Sequence, residues 1–136
     1  MTQCPKINED ALRAILYYSH AIQLNTPTAG LDITFDVDHI IPQESFKGNS
    51  AAPEYFEGSL ANLSLLPTKD NITKKSKRLT EITDPWLKQQ IVHYAGIPED
   101  SFALFSDLSN WEEIKESRLA YFLQIFSKIR DAHLNN

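Results

Sequence analysis

Four polar residues near the middle of the chain have side chains suited to chemistry. Asp38 and His39 are adjacent, Asn62 follows His39 by 23 residues, and Asn71 lies nine residues further on. They supply a carboxylate, an imidazole and two amides, and the imidazole is a group that exchanges a proton near neutral pH. Each also has a structural interpretation, as a surface histidine in a turn, an outward polar residue in a strand or an accessory to a helix cap. Their order along the predicted elements favours a common site.

The first element that must position these residues is a strand. In residues 31–43, LDITFDVDHIIPQ, apolar and polar residues alternate, and Pro42 ends the pattern. Neighbouring residues of a regular strand point to opposite faces. Asp38 and His39 can therefore share a site only where the strand is interrupted, so we predict a bulge or a strand end at these two residues. Asp36 falls on the same strand face as Asp38.

A second strand and a helix follow the first strand. The apolar run SLANLSLLP at 59–67 predicts the returning strand of a hairpin, with Asn62 inside it. Thr68 can cap a helix that runs from about Lys69 to Thr80, which places Asn71 in the first helical turn. A hairpin with a helix packed across it brings the four polar residues to one point.

The rest of the chain is predicted to be mainly helical. Asn8 is a plausible cap for an N-terminal helix, Asp84-Pro85 opens a later helix that Gly96 closes, and Asn110 with Glu113 matches a capping box. Residues 43–58 predict a long loop with a short helical turn. The fold class is therefore α+β, mostly helical. The apolar stripe predicted for the C-terminal helix contains Ile114, Tyr121, Phe122, Ile125, Phe126 and Ile129.

The charge is distributed unevenly along the 136 residues. The net charge of −5 argues at first against a nucleic acid partner. Residues 62–90, however, contain six basic and three acidic residues, and the run TKKSKR occupies 73–78. Such a run is either a solvated helix face or a patch that contacts phosphates, and nearby chemistry decides between the two.

Several classes of protein are excluded or disfavoured by composition. One cysteine, Cys4, permits neither a disulfide framework nor a CxxC zinc site, and we expect it to be inert. No apolar run approaches the roughly 20 residues of a membrane span, and the N-terminus lacks the pattern of a signal peptide. We therefore expect a cytoplasmic protein without a membrane partner. His20, His93 and His133 lie in predicted helices and are interpreted as structural or surface residues.

The segments FDVDHIIPQ and NLSLLPTKDN resemble the signature of HNH nucleases, members of the ββα-metal or His-Me finger superfamily. DHIIP resembles the first motif, Asn62 the central asparagine, and Asn71 the final histidine or asparagine. The step from Asn62 to Asn71 resembles that of the HNH domain in large RNA-guided CRISPR nucleases. The fuller pattern HIIPQ…SLANLSLLPTKDN…KSK is more similar to the C-terminal HNH domain of GmrSD-type modification-dependent restriction enzymes and related bacterial defence proteins.

This resemblance is specific over about residues 33–80 and is a general likeness in the helices that follow. It implies a single domain over 1–136, with a ββα-metal core at 33–80 and helical flanks at 1–30 and 81–136. It also suggests a fragment of a larger protein in which a fused or associated domain supplies specificity. Two departures stand out: the paired CxxC motifs of a structural zinc are missing, and the interval between His39 and Asn62 is long.

The resemblance further implies a role for each residue. Asp38 and Asn71 would hold one divalent metal, and their oxygen ligands suit Mg²⁺, with Mn²⁺ able to substitute. His39 would be the general base. Asn62 would act through hydrogen bonds that fix either the hairpin loop or the imidazole tautomer. Asp36 would be either a reserve metal ligand or a residue that contacts the metal ligands without binding the metal itself.

The implied activity is hydrolysis of DNA phosphodiester bonds, in restriction or phage defence, with RNA as an alternative substrate. Two other interpretations stay open: a non-catalytic nucleic-acid-binding module that keeps the ββα frame, and a structural or interaction domain of a larger protein. Binding alone does not require an acid–base pair, so Asp38 and His39 favour the nuclease. The residues expected to hold backbone phosphates are Lys69, Lys74, Lys75, Lys77 and Arg78.

Overall fold

The computed structural model describes residues 34–134, and the helix predicted after Asn8 lies outside this range, as do Cys4 and His20. The described chain is α+β and mostly helical, with one two-stranded antiparallel sheet. None of its helices is both long and apolar enough to cross a membrane. The regular elements are β1 (Phe35–His39), β2 (Leu63–Pro67), α1 (Thr68–Lys74), α2 (Pro85–Ala95) and α3 (Trp111–Leu134).

The hairpin of β1 and β2 confirms the predicted strand end. Pairing runs in regular register from Phe35 opposite Pro67 to His39 opposite Leu63, and β1 ends at His39. Of the two predicted alternatives, the structure therefore has a strand end at His39 and no bulge within β1. The predicted position of Asn62 was wrong, because β2 begins one residue later and Asn62 closes a short 3₁₀ turn instead.

Short 3₁₀ turns account for much of the remaining chain. Residues 43–58 contain two of them, and Phe56 of the second is fully buried, so this long segment is packed against the core. Phe46 lies 6.2 Å from Phe56, measured between ring centroids. The described 3₁₀ turns are Gln43–Phe46, Glu54–Phe56, Leu60–Asn62, Leu79–Glu81, Glu99–Ser101, Leu104–Ser106 and Leu108–Asn110.

Helix α1 is shorter than predicted. It ends at Lys74, because Lys75 adopts a φ of 56° and a ψ of −139°, outside helical geometry. The predicted helix to Thr80 is therefore wrong, and the basic residues after Lys74 lie in an irregular segment. Thr68 is the first helical residue and not the cap, a position that Pro67 occupies.

The later helices begin where the sequence predicts. The side chain of Asp84 accepts a hydrogen bond from the Trp86 amide at the start of α2, and Gly96 closes this helix with a φ of 71°. Helix α3 begins directly after Asn110, whose side-chain amide donates to the Leu104 carbonyl at 3.2 Å. Of the predicted stripe of α3, Ile114, Phe122 and Ile125 are buried, but Phe126 is 42% exposed.

The two faces of the buried strand β2 contact different parts of the core. Leu66 belongs to a large cluster formed with α2 and the segments around it, whereas Leu63 and Leu65 pack with Phe122 and Ile125 of α3. This alternation follows from the period-two geometry of a strand. Packing on both faces holds the hairpin rigidly, so the end of β1 has a defined position relative to α1.

Candidate active site

A cleft of about 340 Å³ lies at the end of β1, and three of the four predicted residues line it. Asp38 and His39 reach it from the strand end, and Asn71 reaches it from α1. The 3₁₀ turn after Pro42 and Lys47, which directly follows it, supply part of the wall, and Lys75 contributes from the segment after α1. The hairpin–helix unit thus brings a carboxylate, an imidazole and an amide to one cavity.

Asp38 forms a buried ion pair with Lys74. Nζ of Lys74 lies 3.2 Å from Oδ1 of Asp38 and also donates to the backbone carbonyl of His39 at 3.1 Å. Lys74 is 1% exposed and Asp38 is 7% exposed. This placement corrects the prediction that Lys74 holds a backbone phosphate, because its ammonium group is turned into the protein and fastens the end of β1 to α1.

The carboxyl group of Asp38 is hard to ionise in this position. Burial raises its pKa from 3.8 to about 6, against the opposing effect of the Lys74 ammonium, and the nearby Asp36 raises it further. A buried carboxylate with a single ammonium partner is incompletely compensated. Asp38 therefore changes its charge near pH 6, and any additional cation in the cleft would stabilise the ionised form.

His39 is held as a neutral imidazole at neutral pH. Its side chain is half-buried, and burial lowers its pKa below the usual 6.5, with Lys74 acting in the same direction and Glu57 opposing. Nε2 of His39 lies 3.5 Å from Nε2 of Gln43 at the rim of the cleft. A neutral ring beside a cavity has a nitrogen lone pair with which it can accept a proton.

Asp36 orients Asn71 and docks α1 on the strand. Its Oδ2 accepts a hydrogen bond from Nδ2 of Asn71 at 3.1 Å, and its Oδ1 accepts one from Thr68 at 3.0 Å. Thr34 donates in turn to the Thr68 hydroxyl at 2.9 Å. With the amide nitrogen of Asn71 bound to Asp36, its Oδ1 is the atom with which Asn71 can bind a cation. Asp36 was expected to be either a reserve metal ligand or a residue that supports the ligands. Its hydrogen bonds to Asn71 and Thr68 fit the second role.

Asn62 is completely buried and ties two loops together. Its Oδ1 accepts from the Ile41 amide at 2.8 Å, and its Nδ2 donates to the carbonyls of Ile41 at 3.1 Å and Glu57 at 3.0 Å. The backbone carbonyl of Asn62 also accepts from Ile40 at 2.8 Å. Asn62 was predicted to fix either the hairpin loop or the tautomer of the imidazole. These hydrogen bonds fit the first role, because they hold the backbone that follows His39 and do not involve the imidazole.

The remaining basic residues differ in their surroundings. Lys69, Lys75 and Lys77 are exposed, and Lys75 borders the cleft. Arg78 pairs with Glu81 at 3.0 Å, and its hydrogen bonds lower the pKa of the Glu81 carboxyl. Sequence reasoning missed Lys47, an isolated lysine in a loop with no pattern around it that could have identified it.

The residues in the cleft suit a hard divalent cation that keeps most of its water. A carboxylate oxygen of Asp38 and the amide oxygen of Asn71 are two oxygen ligands of the kind that Mg²⁺ prefers, and Mg²⁺ is usually held by few protein groups. Residues 34–134 contain no cluster of three histidine, cysteine, aspartate or glutamate side chains that could hold a metal. Asp38 and Asn71 are therefore the residues of the cleft that could hold Mg²⁺ or Mn²⁺.

Comparisons with models of protein families, with curated proteins and with solved structures gave no match for this chain.

Proposed function

We propose that the chain is a metal-dependent endonuclease of the HNH type that hydrolyses phosphodiester bonds of DNA. The observation that supports this most directly is the convergence of Asp38, His39 and Asn71 on one cleft, next to Lys75. The three side chains come from a hairpin and the helix that follows it, in the order of the motif that the sequence resembles. Restriction or phage defence is the proposed setting, with specificity supplied by another domain.

Each residue of the cleft has a distinct task in this mechanism. His39, neutral because burial lowers its pKa, accepts the proton of the attacking water. Asp38 and Asn71 would hold Mg²⁺ or Mn²⁺, which supplies Lewis-acid stabilisation of the charge that develops on the phosphate. Lys75, exposed at the rim, contacts the phosphate backbone without reading bases. The products are a 5′-phosphate and a 3′-hydroxyl.

Asn62 and Lys74 position this machinery without touching substrate. Asn62 fixes the backbone that follows His39, and Lys74 binds both the Asp38 side chain and the His39 carbonyl. The strand end is thereby held from both sides. A general base must stay within hydrogen-bond reach of its proton donor, so a rigid strand end is a condition for catalysis.

The test is nicking of supercoiled plasmid by purified protein with Mg²⁺ or Mn²⁺, on modified and unmodified DNA, with EDTA as the control. We expect wild type to nick and His39→Ala to be about 10²–10⁴-fold slower, the usual contribution of a general base. His93→Ala is the matched control, because His93 is exposed on α2 and does not line the cleft. RNA of the same sequence tests the alternative substrate.

Folded wild type that cuts neither DNA nor RNA with either metal would contradict the nuclease proposal. Equal activity of His39→Ala and wild type would contradict the role of His39. Circular dichroism of each variant separates a loss of chemistry from a loss of fold. Asp38→Ala and Asn71→Ala should instead weaken metal binding, as measured by calorimetry.

A second candidate is a nucleic-acid-binding module without activity. It is favoured by the ion pair between Asp38 and Lys74, because an ammonium group already compensates the carboxylate that would bind metal. This candidate predicts salt-sensitive DNA binding with neither cleavage nor measurable Mn²⁺ affinity. Detection of Mn²⁺ binding that Asp38→Asn abolishes would exclude it.

A further inference from the structure

Helix α3 carries an exposed apolar stripe in addition to its buried face. Leu119 is 57% exposed, Leu123 is 55% exposed and Phe126 is 42% exposed. The buried face, with Ile114, Phe122 and Ile125, already packs against the rest of the molecule. Phe126 also stacks on the buried Phe122, with 6.5 Å between the ring centroids, but much of all three side chains faces solvent. Three large apolar side chains along one line of a helix indicate an interaction surface.

The stripe has the spacing of a coiled-coil seam. Positions separated alternately by four and three residues stay on one face when two helices wind around each other. In α3 this seam is acidic at its N-terminal end, apolar in its centre and basic at its C-terminal end. Its members are Glu112, Glu116, Leu119, Leu123, Phe126 and Arg130.

The charges at the two ends select a partner and an orientation. Glu116 and Arg130 both lie seven residues from Leu123. In an antiparallel pair of α3 helices centred on Leu123, Glu116 of each copy faces Arg130 of the other. A parallel pair would place Glu116 against Glu116 and Arg130 against Arg130, which is repulsive.

We propose that this stripe is the interface of an antiparallel, two-fold symmetric homodimer of the chain. A two-fold interface uses the same patch on both copies, and a surface whose ends are complementary to each other meets that requirement. Arg130 is available for such a contact, because the side chains of Arg130 and Asp131, which form an ion pair at 3.6 Å, are 70% and 63% exposed. The inference stands independently of the proposed nuclease activity.

The apolar centre is short, so the dimer should be weak and should depend on concentration. Sedimentation velocity of the full chain from about 1 μM to about 1 mM brackets dissociation constants in the range expected for such an interface. We expect a rise in the weight-average mass towards two copies. Leu123→Asp, which places two carboxylates at the centre, should weaken association at least about tenfold. Ser117→Asp is the matched control, because Ser117 is an exposed residue of α3 outside the seam.

A charge exchange tests the orientation. Glu116→Arg alone and Arg130→Glu alone should each weaken the dimer by placing like charges together. The variant with both changes restores opposite charges at each end and should associate about as strongly as wild type. Variants that retain native circular dichroism separate this effect from unfolding.

Three results would overturn the proposal. Wild type that stays monomeric across the whole series shows that the stripe does not bind a second copy, whether another segment or another protein covers it. A dimer that Leu123→Asp leaves intact uses a different surface. A dimer that the double exchange fails to restore does not have the antiparallel arrangement.

Discussion

Replacing the buried Lys74 by methionine should make the stability of the protein strongly dependent on pH. Methionine has nearly the length of lysine without its charge, so Lys74→Met removes the ammonium group and leaves little empty volume. The variant loses the 3.2 Å contact with Oδ1 of Asp38 and the 3.1 Å hydrogen bond to the His39 carbonyl. Asp38 then stays in a buried position without a counter-charge.

The expected magnitude follows from burial of the pair. The two side chains are 1% and 9% exposed, so solvent screens their interaction very little. Removing one partner of such a pair costs about 3–5 kcal/mol of folding free energy, because the other charge stays buried and uncompensated. Without Lys74 the pKa of Asp38 rises further, so Asp38 takes up a proton instead of bearing this whole cost. With a wild-type pKa of about 6, the loss for Lys74→Met at about pH 8 is therefore limited to about 2–3 kcal/mol, or about 1.4 kcal/mol for each pH unit above 6.

The loss should shrink as the pH falls. The pKa of Asp38 in the folded protein is about 6, above its ordinary 3.8, so protonation favours the folded state and the contribution of Asp38 to stability rises as the pH falls through 6. Once Asp38 is protonated, Lys74 is itself a buried charge without a counter-charge, although it keeps its hydrogen bond to the His39 carbonyl. At about pH 5 the variant should therefore match or exceed wild-type stability.

Urea unfolding followed by circular dichroism at both pH values measures this difference, with Lys77→Met as the exposed control. Asp38→Asn combined with Lys74→Met should recover most of the stability lost at the higher pH, because it removes both charges. A loss below about 1 kcal/mol at about pH 8, the level of an exposed pair, would refute the reasoning. So would an equal loss at both pH values.

Two further predictions concern the same end of the hairpin. Asn62→Ala should cost about 2–4 kcal/mol in urea unfolding, because it removes two buried hydrogen bonds to the backbone of Ile41 and a partly buried one to the Glu57 carbonyl. Asn49→Ala, which removes one exposed hydrogen bond to the Ala51 amide, should cost less than about 1 kcal/mol. Equal costs would contradict the role of Asn62. The affinity for Mn²⁺, measured by calorimetry, should fall about tenfold for each pH unit below the Asp38 pKa of about 6 and level off above it. The reason is that a metal ion and a proton compete for the Asp38 carboxylate. An affinity that is constant from about pH 5 to 7 would show that Asp38 is not a ligand.

Features that depend on neighbours in the sequence were predictable. The end of β1 at His39, the start of α2 after Asp84 and its end at Gly96 all follow from local rules, such as a side chain that caps an amide two residues away. The grouping of Asp38, His39 and Asn71 was also predicted, because a hairpin and the helix after it have few ways to pack. Whether that group cuts DNA stays a prediction.

Local rules gave wrong results where distant contacts decide the structure. The predicted helix to Thr80 continues a favourable sequence pattern, yet α1 stops at Lys74, whose side chain is buried against the end of β1. Phe126 fits the inner stripe of α3 by periodicity, but periodicity does not show how wide a strip of the helix the core covers. Only the packed structure shows that the stripe through Leu123 and Phe126 faces outward.

The sequence by itself determined which chemical groups are present and which elements carry them, because turn and cap preferences act over a few residues. The tertiary structure alone decided what each group does there. It placed Lys74 inside as the partner of Asp38, 36 residues away, and it directed Asn62 to the backbone of Ile41, 21 residues away. Such pairings depend on which charges and amides lose their water together when the core forms, and a residue's neighbours in the sequence do not determine that.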